Sequence, residues 1–132
     1  MSEPREWKMG THRARFEPPD TVWMTHQGPL SLEDYTWTVK LCRELGQQQA
    51  FILVTDVTEL TASDPEGQRY ASEHMEPEWF VAIIYVGARL IHKAGAKGIR
   101  FVQQLLGRKP TPLYFAANEA EARRIISQLR ST

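Results

Sequence analysis

Polar and apolar residues alternate along the first part of the chain, which is the pattern of a half-exposed strand. Over 11–17, apolar or aromatic side chains occupy one side and mostly charged side chains occupy the other. Because that second side is charged, we expect this strand at an edge of a sheet. Turn-forming residues over 18–20 and a second extended run over 22–26 follow, so the two strands are predicted to pair as an antiparallel hairpin.

The apolar period then lengthens to three and four residues, which is typical of an amphipathic helix. Ser31, with Asp34 three residues later, fits a capping box at the start of this helix, and Gly46 is predicted to end it. Cys42, the single cysteine, falls on the apolar stripe. We therefore interpret Cys42 as a buried core residue and not as a nucleophile.

Two later segments are apolar without alternation, which favours parallel strands that are buried on both faces. They are 51–54, which Asp56 follows, and 79–86. A helix is predicted between them, over about 63–76, and a long helix is predicted after them, over about 87–106.

The chain closes with a short apolar strand over 113–115 and a helix that Asn118 caps. Strands that alternate with helices in this way predict an α/β domain. We expect a mostly parallel sheet of four to five strands, with an antiparallel edge strand and about four helices. Residues 1–10 are interpreted as an N-terminal extension, and 11–132 as the single domain.

Composition narrows the classes of function. The chain has 132 residues, of which 42% are hydrophobic, and its 16 Lys and Arg equal its 16 Asp and Glu. The net charge therefore gives no general attraction to nucleic acid or to an anionic membrane. No apolar run is long enough to span a membrane, and the first residues lack the apolar stretch of a signal peptide, so we expect a cytoplasmic protein.

Motifs that carry catalysis are missing from the sequence. It contains no glycine-rich phosphate loop, no GxSxG and no HExxH, and one cysteine cannot form a thiolate cluster within a single chain. The four histidines fall on four different predicted elements, namely His12, His26, His74 and His92. His26 is interpreted as a satisfied or partly exposed side chain and not as a proton-transfer group. We predict no metal, no cofactor and no enzymatic activity.

Charge is distributed unevenly along the chain. The segment 44–78 has eight acidic residues against Arg69 alone, whereas 79–118 has six basic residues and no acid. Four of these bases fall on one face of the predicted long helix, namely Arg89, Lys93, Lys97 and Arg100. This stripe is either a solvated helix face or a site for an acidic protein, an anionic lipid headgroup or the acidic segment of another copy. Nucleic acid is disfavoured because no aromatic residues interleave with the bases.

Asp56 occupies a position where open α/β sheets bind ligands, because it follows a buried strand at its carboxyl end. One interpretation is a capped turn, in which its side chain accepts a backbone N–H of the next residues. The other is that the predicted loop 56–67 binds a partner or an anion. It has hydroxyl side chains close to a helix N-terminus, namely Thr58, Thr61 and Ser63.

The element order and the segment 56–67 resemble the STAS superfamily, the domain of anti-sigma-factor antagonists and sulfate transporters, and in particular its SpoIIAA-like branch. The segment reads Asp56-Val57-Thr58-Glu59-Leu60-Thr61-Ala62-Ser63-Asp64-Pro65-Glu66-Gly67. In that superfamily a buried strand ends in Asp, a loop follows, and an Asp-Ser-Ser-Gly-like segment opens the next helix. The resemblance implies a regulatory domain that binds a protein, such as a regulator or a kinase-like partner.

The sequence departs from that pattern at the residue that receives phosphate in phospho-regulated antagonists. Pro65 stands there and has no hydroxyl, so regulation by phosphorylation at this position is excluded. Glu66 supplies a fixed negative charge at the helix start, although helix capping explains a Glu there equally well. Ser63 and Thr61 remain candidate substitutes.

Three hypotheses follow. The first is a non-enzymatic protein-binding domain, with contacts from Asp56, Thr58, Thr61, Ser63, Asp64, Glu66 and Arg69. The second, suggested by the similarity of the SpoIIAA-like branch to CRAL-TRIO lipid carriers, is a carrier of a lipid or small apolar ligand, with a pocket lined by Trp23, Trp79, Tyr85 and Phe101. The third is a homodimer formed through Gly95, Gly98 and the basic stripe.

Overall fold

The computed structural model describes residues 3–89, 107 and 109–131. Within this part of the chain there are six strands, namely β1 (Arg5–Met9), β2 (His12–Glu17), β3 (Thr21–Leu30), β4 (Phe51–Ser63), β5 (Phe80–Val86) and β6 (Leu113–Ala116). The same residues form three α-helices, namely α1 (Leu32–Gln48), α2 (Pro65–His74) and α3 (Glu119–Arg130), and one 3-10 turn, Pro77–Trp79. None of these helices is long and apolar enough to cross a membrane.

All six strands form one mixed sheet in the order β1-β2-β3-β4-β5-β6. Strands β1, β2 and β3 pair antiparallel, and β3 to β6 pair parallel. The predicted α/β architecture with an antiparallel edge is confirmed. The predicted numbers of strands and helices differ slightly from those observed in the described residues. We expected four to five strands and about four helices. The predicted long helix over about 87–106 falls almost entirely outside the described residues, and so do the predicted site residues Lys93, Lys97 and Arg100.

The additional strand is β1, which lies within the predicted N-terminal extension. The alternation of apolar and polar residues in β1 is short. It nevertheless places Trp7 and Met9 on a half-buried side and Glu6 and Lys8 on an exposed side. Trp7 packs against the core under the helices. Strand β2, predicted at the edge, is therefore an inner strand that β1 covers.

Strand β4 is longer than the sequence indicates. We expected it to end before Asp56 and a loop to follow, but the chain stays extended to Ser63 and pairs with β3 through two register shifts. Val57 and Leu60 are buried in a small cluster with Leu30, and this cluster gives the extension a core of its own. The predicted loop is therefore an ordered strand.

The sheet has one core on each face. Helices α1 and α2 cover one face, where the buried side chains include Phe16, Met24 and Phe51. Helix α3 covers the other face, where Val54 and Ile84 pack against its apolar side. Cys42 is fully buried on the inner side of α1, as predicted, and burial raises the pKa of its thiol to about 12.

Strand β5 is not buried on both faces as the apolar run predicted. It begins at Phe80, because Trp79 belongs to the 3-10 turn, and it alternates between buried and more exposed positions. Val81 is 44% exposed. An apolar residue in the turn before a strand, such as Trp79, can therefore be mistaken for part of that strand when only the sequence is considered.

Helix α3 is tied to the antiparallel side of the sheet by Arg123. Its guanidinium donates two hydrogen bonds to the Glu17 carboxylate, at 3.0 and 3.2 Å, and lies 4.7 Å from the centre of the Trp23 ring. Arg123→Ala is expected to lower the unfolding free energy by about 1 kcal/mol, since the pair is partly exposed and screened. Chemical denaturation measures this change, and Arg124→Ala is the matched control, with an expected change below about 0.5 kcal/mol. Equal losses in both variants would contradict the anchoring role.

Candidate functional site

The seven predicted contact residues form two groups at the carboxyl ends of the parallel strands. Asp56 and Thr58 lie where β4 stops pairing with β5. The others surround the junction between β4 and α2, namely Thr61, Ser63, Asp64, Glu66 and Arg69. Because β4 is extended, roughly 20 Å of strand separates Asp56 from Ser63. We call the second group the α2 surface.

Asp56 has a structural role at the first register shift between β3 and β4. Its carboxylate oxygen Oδ1 accepts a hydrogen bond from the backbone N–H of Thr58, at 2.9 Å. The Thr58 side chain lies directly against Gly87, where an added Cβ would come within 2.1 Å of Oγ1. Gly87 also has a φ of +69°, which favours glycine. The hydrogen bond to the Thr58 N–H agrees with the capping part of the first interpretation of Asp56, although the chain continues as a strand and not as a loop.

The start of α2 is capped by Asp64 and not by Ser63. Asp64 Oδ1 accepts a hydrogen bond from the N–H of Glu66 at 2.8 Å, and the Asp64 N–H donates to the Leu30 carbonyl at 3.0 Å. Pro65 occupies the first helical position, where its missing N–H costs nothing. Pro65 and Glu66 are exposed. The two carboxylates of this first turn are also favoured by the helix dipole.

Tyr35 of α1 supports the α2 surface from below, and the sequence did not identify it as a site residue. Its hydroxyl is hydrogen-bonded to the Ser63 hydroxyl, and burial raises the pKa of Tyr35. An added Cβ at Gly67 would lie 2.2 Å from the Tyr35 ring, so the glycine lets the ring pack against the first turn of α2. The apolar stripe of α1 indicated a core role for Tyr35, and no pattern pointed to this contact.

Exposure and charge differ among the remaining members of the surface. Thr61, Glu66 and Arg69 are exposed, whereas Ser63 and Asp64 are half-buried. On the strand extension, Glu59 accepts a hydrogen bond from Gln27 Nε2 at 2.7 Å. The α2 surface thus combines exposed polar groups with a rigid backbone.

Arg89 is the member of the predicted basic stripe that the structure describes. Its guanidinium donates a hydrogen bond to the Leu60 carbonyl at 3.3 Å, so it lies beside the extension of β4. The other members of the stripe lie outside the described residues, and the alternatives for the stripe stay open.

His12 and His26, predicted on separate elements, are neighbours in the structure because β2 and β3 pair. Their rings lie 5.1 Å apart, and His12 Nε2 is 3.0 Å from the Pro29 carbonyl and 3.3 Å from a carboxylate oxygen of Asp34. Burial, together with the neighbouring His12, lowers the pKa of His26 to about 4. In the described residues, no three His, Cys, Asp or Glu side chains are arranged to hold a metal ion.

The residues proposed to line a carrier pocket do not meet. Trp23 packs in the core under α3, whereas Trp79 packs in the core under α1 and α2, on the opposite face of the sheet. Tyr85 packs against a third, smaller cluster, and Phe101 is outside the described residues. An open groove of about 410 Å³ lies instead across β1, β2 and β3, and charged or polar side chains form most of its lining.

Comparisons with known proteins support the fold. No protein-family model matches the sequence, and no curated protein sequence matches it. A solved structure of the anti-sigma factor antagonist SpoIIAA in its unphosphorylated form is similar, with a TM-score of 0.61, 17% identity and coverage of 92% of this chain and 99% of that one. An uncharacterized DUF3478-family protein from Shewanella loihica, described as having a SpoIIAA-like fold, has a TM-score of 0.60, 14% identity and coverage of 98% and 95%. The resemblance found in the sequence is thus confirmed at the level of architecture, and the chain has the SpoIIAA-like fold.

Proposed function

We propose that this chain is a non-enzymatic regulatory domain that binds another protein through the α2 surface. The observation that carries the proposal is the rigid, exposed first turn of α2. Asp64 caps it, Pro65 fixes its backbone, and Tyr35 supports it. A surface that is already ordered loses little conformational entropy on binding, so its polar contacts contribute more to affinity. The shared fold agrees, since the SpoIIAA structure is named as that of an antagonist of another protein.

Charge indicates the kind of partner. The stretch from Asp56 to Glu78 has seven acidic residues against one basic residue, Arg69. Among the acidic residues, Glu59, Glu66, Glu73 and Glu78 are exposed. Acidic surfaces select basic partners mainly through the rate of association, and salt weakens that steering. We therefore propose a partner with a basic face, bound more slowly as ionic strength rises.

We propose that partner binding does not depend on phosphorylation at position 65, because Pro65 has no hydroxyl. Glu66 keeps a negative charge at the helix start without a kinase. Ser63 is a poor substitute, because its hydroxyl is half-buried and hydrogen-bonded to Tyr35. Thr61 is exposed and stays a candidate for modification.

Affinity capture from a lysate of the source organism tests the proposal. The variant Asp64→Lys, Glu66→Lys is expected to abolish capture of a specific protein, because it reverses both charges of the first turn. It also removes the N-cap, at a cost of about 1 kcal/mol. The second variant, Asp64→Asn, Glu66→Gln, keeps an oxygen acceptor at the cap and removes only the charges. It is expected to reduce capture about tenfold or more.

The matched control is Glu119→Lys, Glu121→Lys, which reverses the charge of two acidic residues in the first turn of α3. This variant changes the net charge as much as the first, but on the other face of the sheet. It is expected to capture the same protein as the wild type. Capture that is unchanged by the Asp64 and Glu66 substitutions, or lost equally with the α3 control, would overturn the proposal.

A further inference from the structure

Strand β1 presents a free edge of the sheet. In the described part of the chain, β2 pairs with its inner side and no strand pairs with its outer side. Gly10 and Thr11 form a two-residue turn that joins Met9 to His12, and Gly10 has a φ of +57°. In such a turn the flanking residues form a hydrogen-bonded pair. The backbone groups of Met9, and of every second residue before it, therefore point to β2, and those of Glu6 and Lys8 point outward.

We propose that β1 pairs antiparallel with β1 of a second copy of this chain, about a two-fold axis at Trp7. Two six-stranded sheets then join into one continuous sheet of twelve strands. In this register Glu6 lies opposite Lys8 of the second copy, and Lys8 lies opposite its Glu6. Their outward N–H and C=O groups form the new hydrogen bonds, as in other cases of strand addition.

The charge pattern of β1 is complementary to that of a second copy of the same strand in antiparallel orientation. Its sequence, Arg5-Glu6-Trp7-Lys8-Met9, places opposite charges at equal distances on either side of Trp7. A two-fold axis there makes two pairs of opposite charge on one face, and such cross-strand pairs stabilise a sheet. The symmetry of an isologous interface requires this kind of self-complementarity.

In the single chain Glu6 lies opposite Arg15, but Lys8 has no partner of opposite charge across the strand pair. Lys8 lies opposite Arg13 across the β1–β2 pair, so two like charges face each other. Among the described residues, neither Glu6 nor Lys8 forms an ion pair within 4 Å. Glu6 of a second copy would place a carboxylate beside Lys8 and offset its repulsion with Arg13.

The other face of β1 provides an apolar contact at the axis. Trp7 is half-buried, packs against the core and has the Arg5 guanidinium 4.9 Å from its ring centre. The two-fold axis brings the Trp7 rings of both copies side by side. Aromatic pairs across neighbouring strands add to sheet stability beyond their buried area.

Charged residues also occur on edge strands as a guard against pairing with other chains. A guard requires charge but no particular order of charge, whereas the proposed pairing requires Glu6 and Lys8 to have opposite signs. Reversing the sign of only one of the two residues separates these roles, because it leaves a guard intact but places like charges opposite each other in the proposed pairing.

Sedimentation velocity over a dilution series of the full chain tests the proposal. The wild type is expected to show a concentration-dependent shift from monomer to dimer. Glu6→Lys and Lys8→Glu are each expected to raise the dimer dissociation constant about tenfold or more, because each places like charges opposite each other twice. The double variant Glu6→Lys, Lys8→Glu restores opposite charges and is expected to recover the wild-type constant.

Mixing the two single variants gives the sharpest result. One has acids at both positions and the other has bases, so their equimolar mixture is expected to form a heterodimer more tightly than either variant forms a homodimer. A wild type that stays monomeric up to millimolar concentration would overturn the proposal. So would the same dissociation constant in all four proteins. These variants lie away from the α2 surface, and the outcome is independent of the proposed partner binding.

Discussion

Acidification from pH 7 to pH 4 is expected to lower the unfolding free energy by about 3 kcal/mol through His26 alone. Burial, with the nearby His12, lowers the pKa of His26 to about 4 in the folded protein, although the carboxylates of Asp34 and Asp56 oppose this shift. The unfolded chain takes up this proton near pH 6.5. Between these two values the unfolded state binds more protons, so stability falls as the pH falls.

Urea denaturation at several pH values between 7 and 4 measures this slope. His26→Phe keeps a ring of similar shape and has no proton to gain, so its slope should be smaller by up to about 1.4 kcal/mol per pH unit. His74→Phe, on helix α2, is the matched control for replacing a histidine by phenylalanine at another place in the fold. If His26→Phe and the wild type lose stability in parallel over this range, the burial of His26 is not the cause.

Gly46→Ala is expected to lower the unfolding free energy by about 2–3 kcal/mol, although glycine to alanine in a helix normally stabilises by about 1 kcal/mol. An added Cβ would lie 2.4 Å from Cβ and 2.5 Å from Cγ of Trp79. These atoms are next to the backbone of a buried side chain, so they cannot rotate away. Helix α1 and the 3-10 turn would have to move apart.

Gln47→Ala is the matched control, since Gln47 is the next residue of α1 and is exposed. Its effect should stay within about 0.5 kcal/mol. Thermal or chemical denaturation distinguishes the two variants by the sign of the change. A Gly46→Ala protein as stable as the wild type, or more stable, would contradict the close packing of α1 on Trp79.

Gly46 also shows where sequence reasoning about the fold failed. A glycine at the end of an apolar periodicity predicts a helix end, but α1 continues to Gln48. Glycine was needed for a contact with a residue 33 positions away, and no local pattern records such a contact. By contrast, the capping box of Ser31 and Asp34 was predicted correctly, because both of its hydrogen bonds are local.

The extension of β4 and the extra strand β1 were missed for related reasons. Thr58 and Glu59 look like loop residues, yet Val57 before them and Leu60 after them are buried in a cluster with Leu30 of β3. Strand β1 is only five residues long and rich in charge, so its pairing with β2 decides its structure more than its own composition does. Non-local pairing overrode local propensity in both strands.

The start and cap of α2 could be predicted from the sequence, but the geometry around them could not. The segment that resembled the SpoIIAA-like branch contains the cap of α2, and the role of Asp64 follows from capping rules. The support from Tyr35 and Gly67 depends on how α1 crosses α2. The sequence provides no signal for that crossing, so only the structure separates Asp56 from the α2 surface.

Hydrogen–deuterium exchange of the chain, alone and with the captured partner, tests the central claim most directly. Partner binding at the α2 surface predicts slower exchange in the peptides that cover 61–70, with unchanged exchange in α3. The Asp64→Asn, Glu66→Gln variant should lose that protection at the same partner concentration. Protection confined to α3 or to the N-terminal hairpin, with none at the start of α2, would contradict the proposed binding surface.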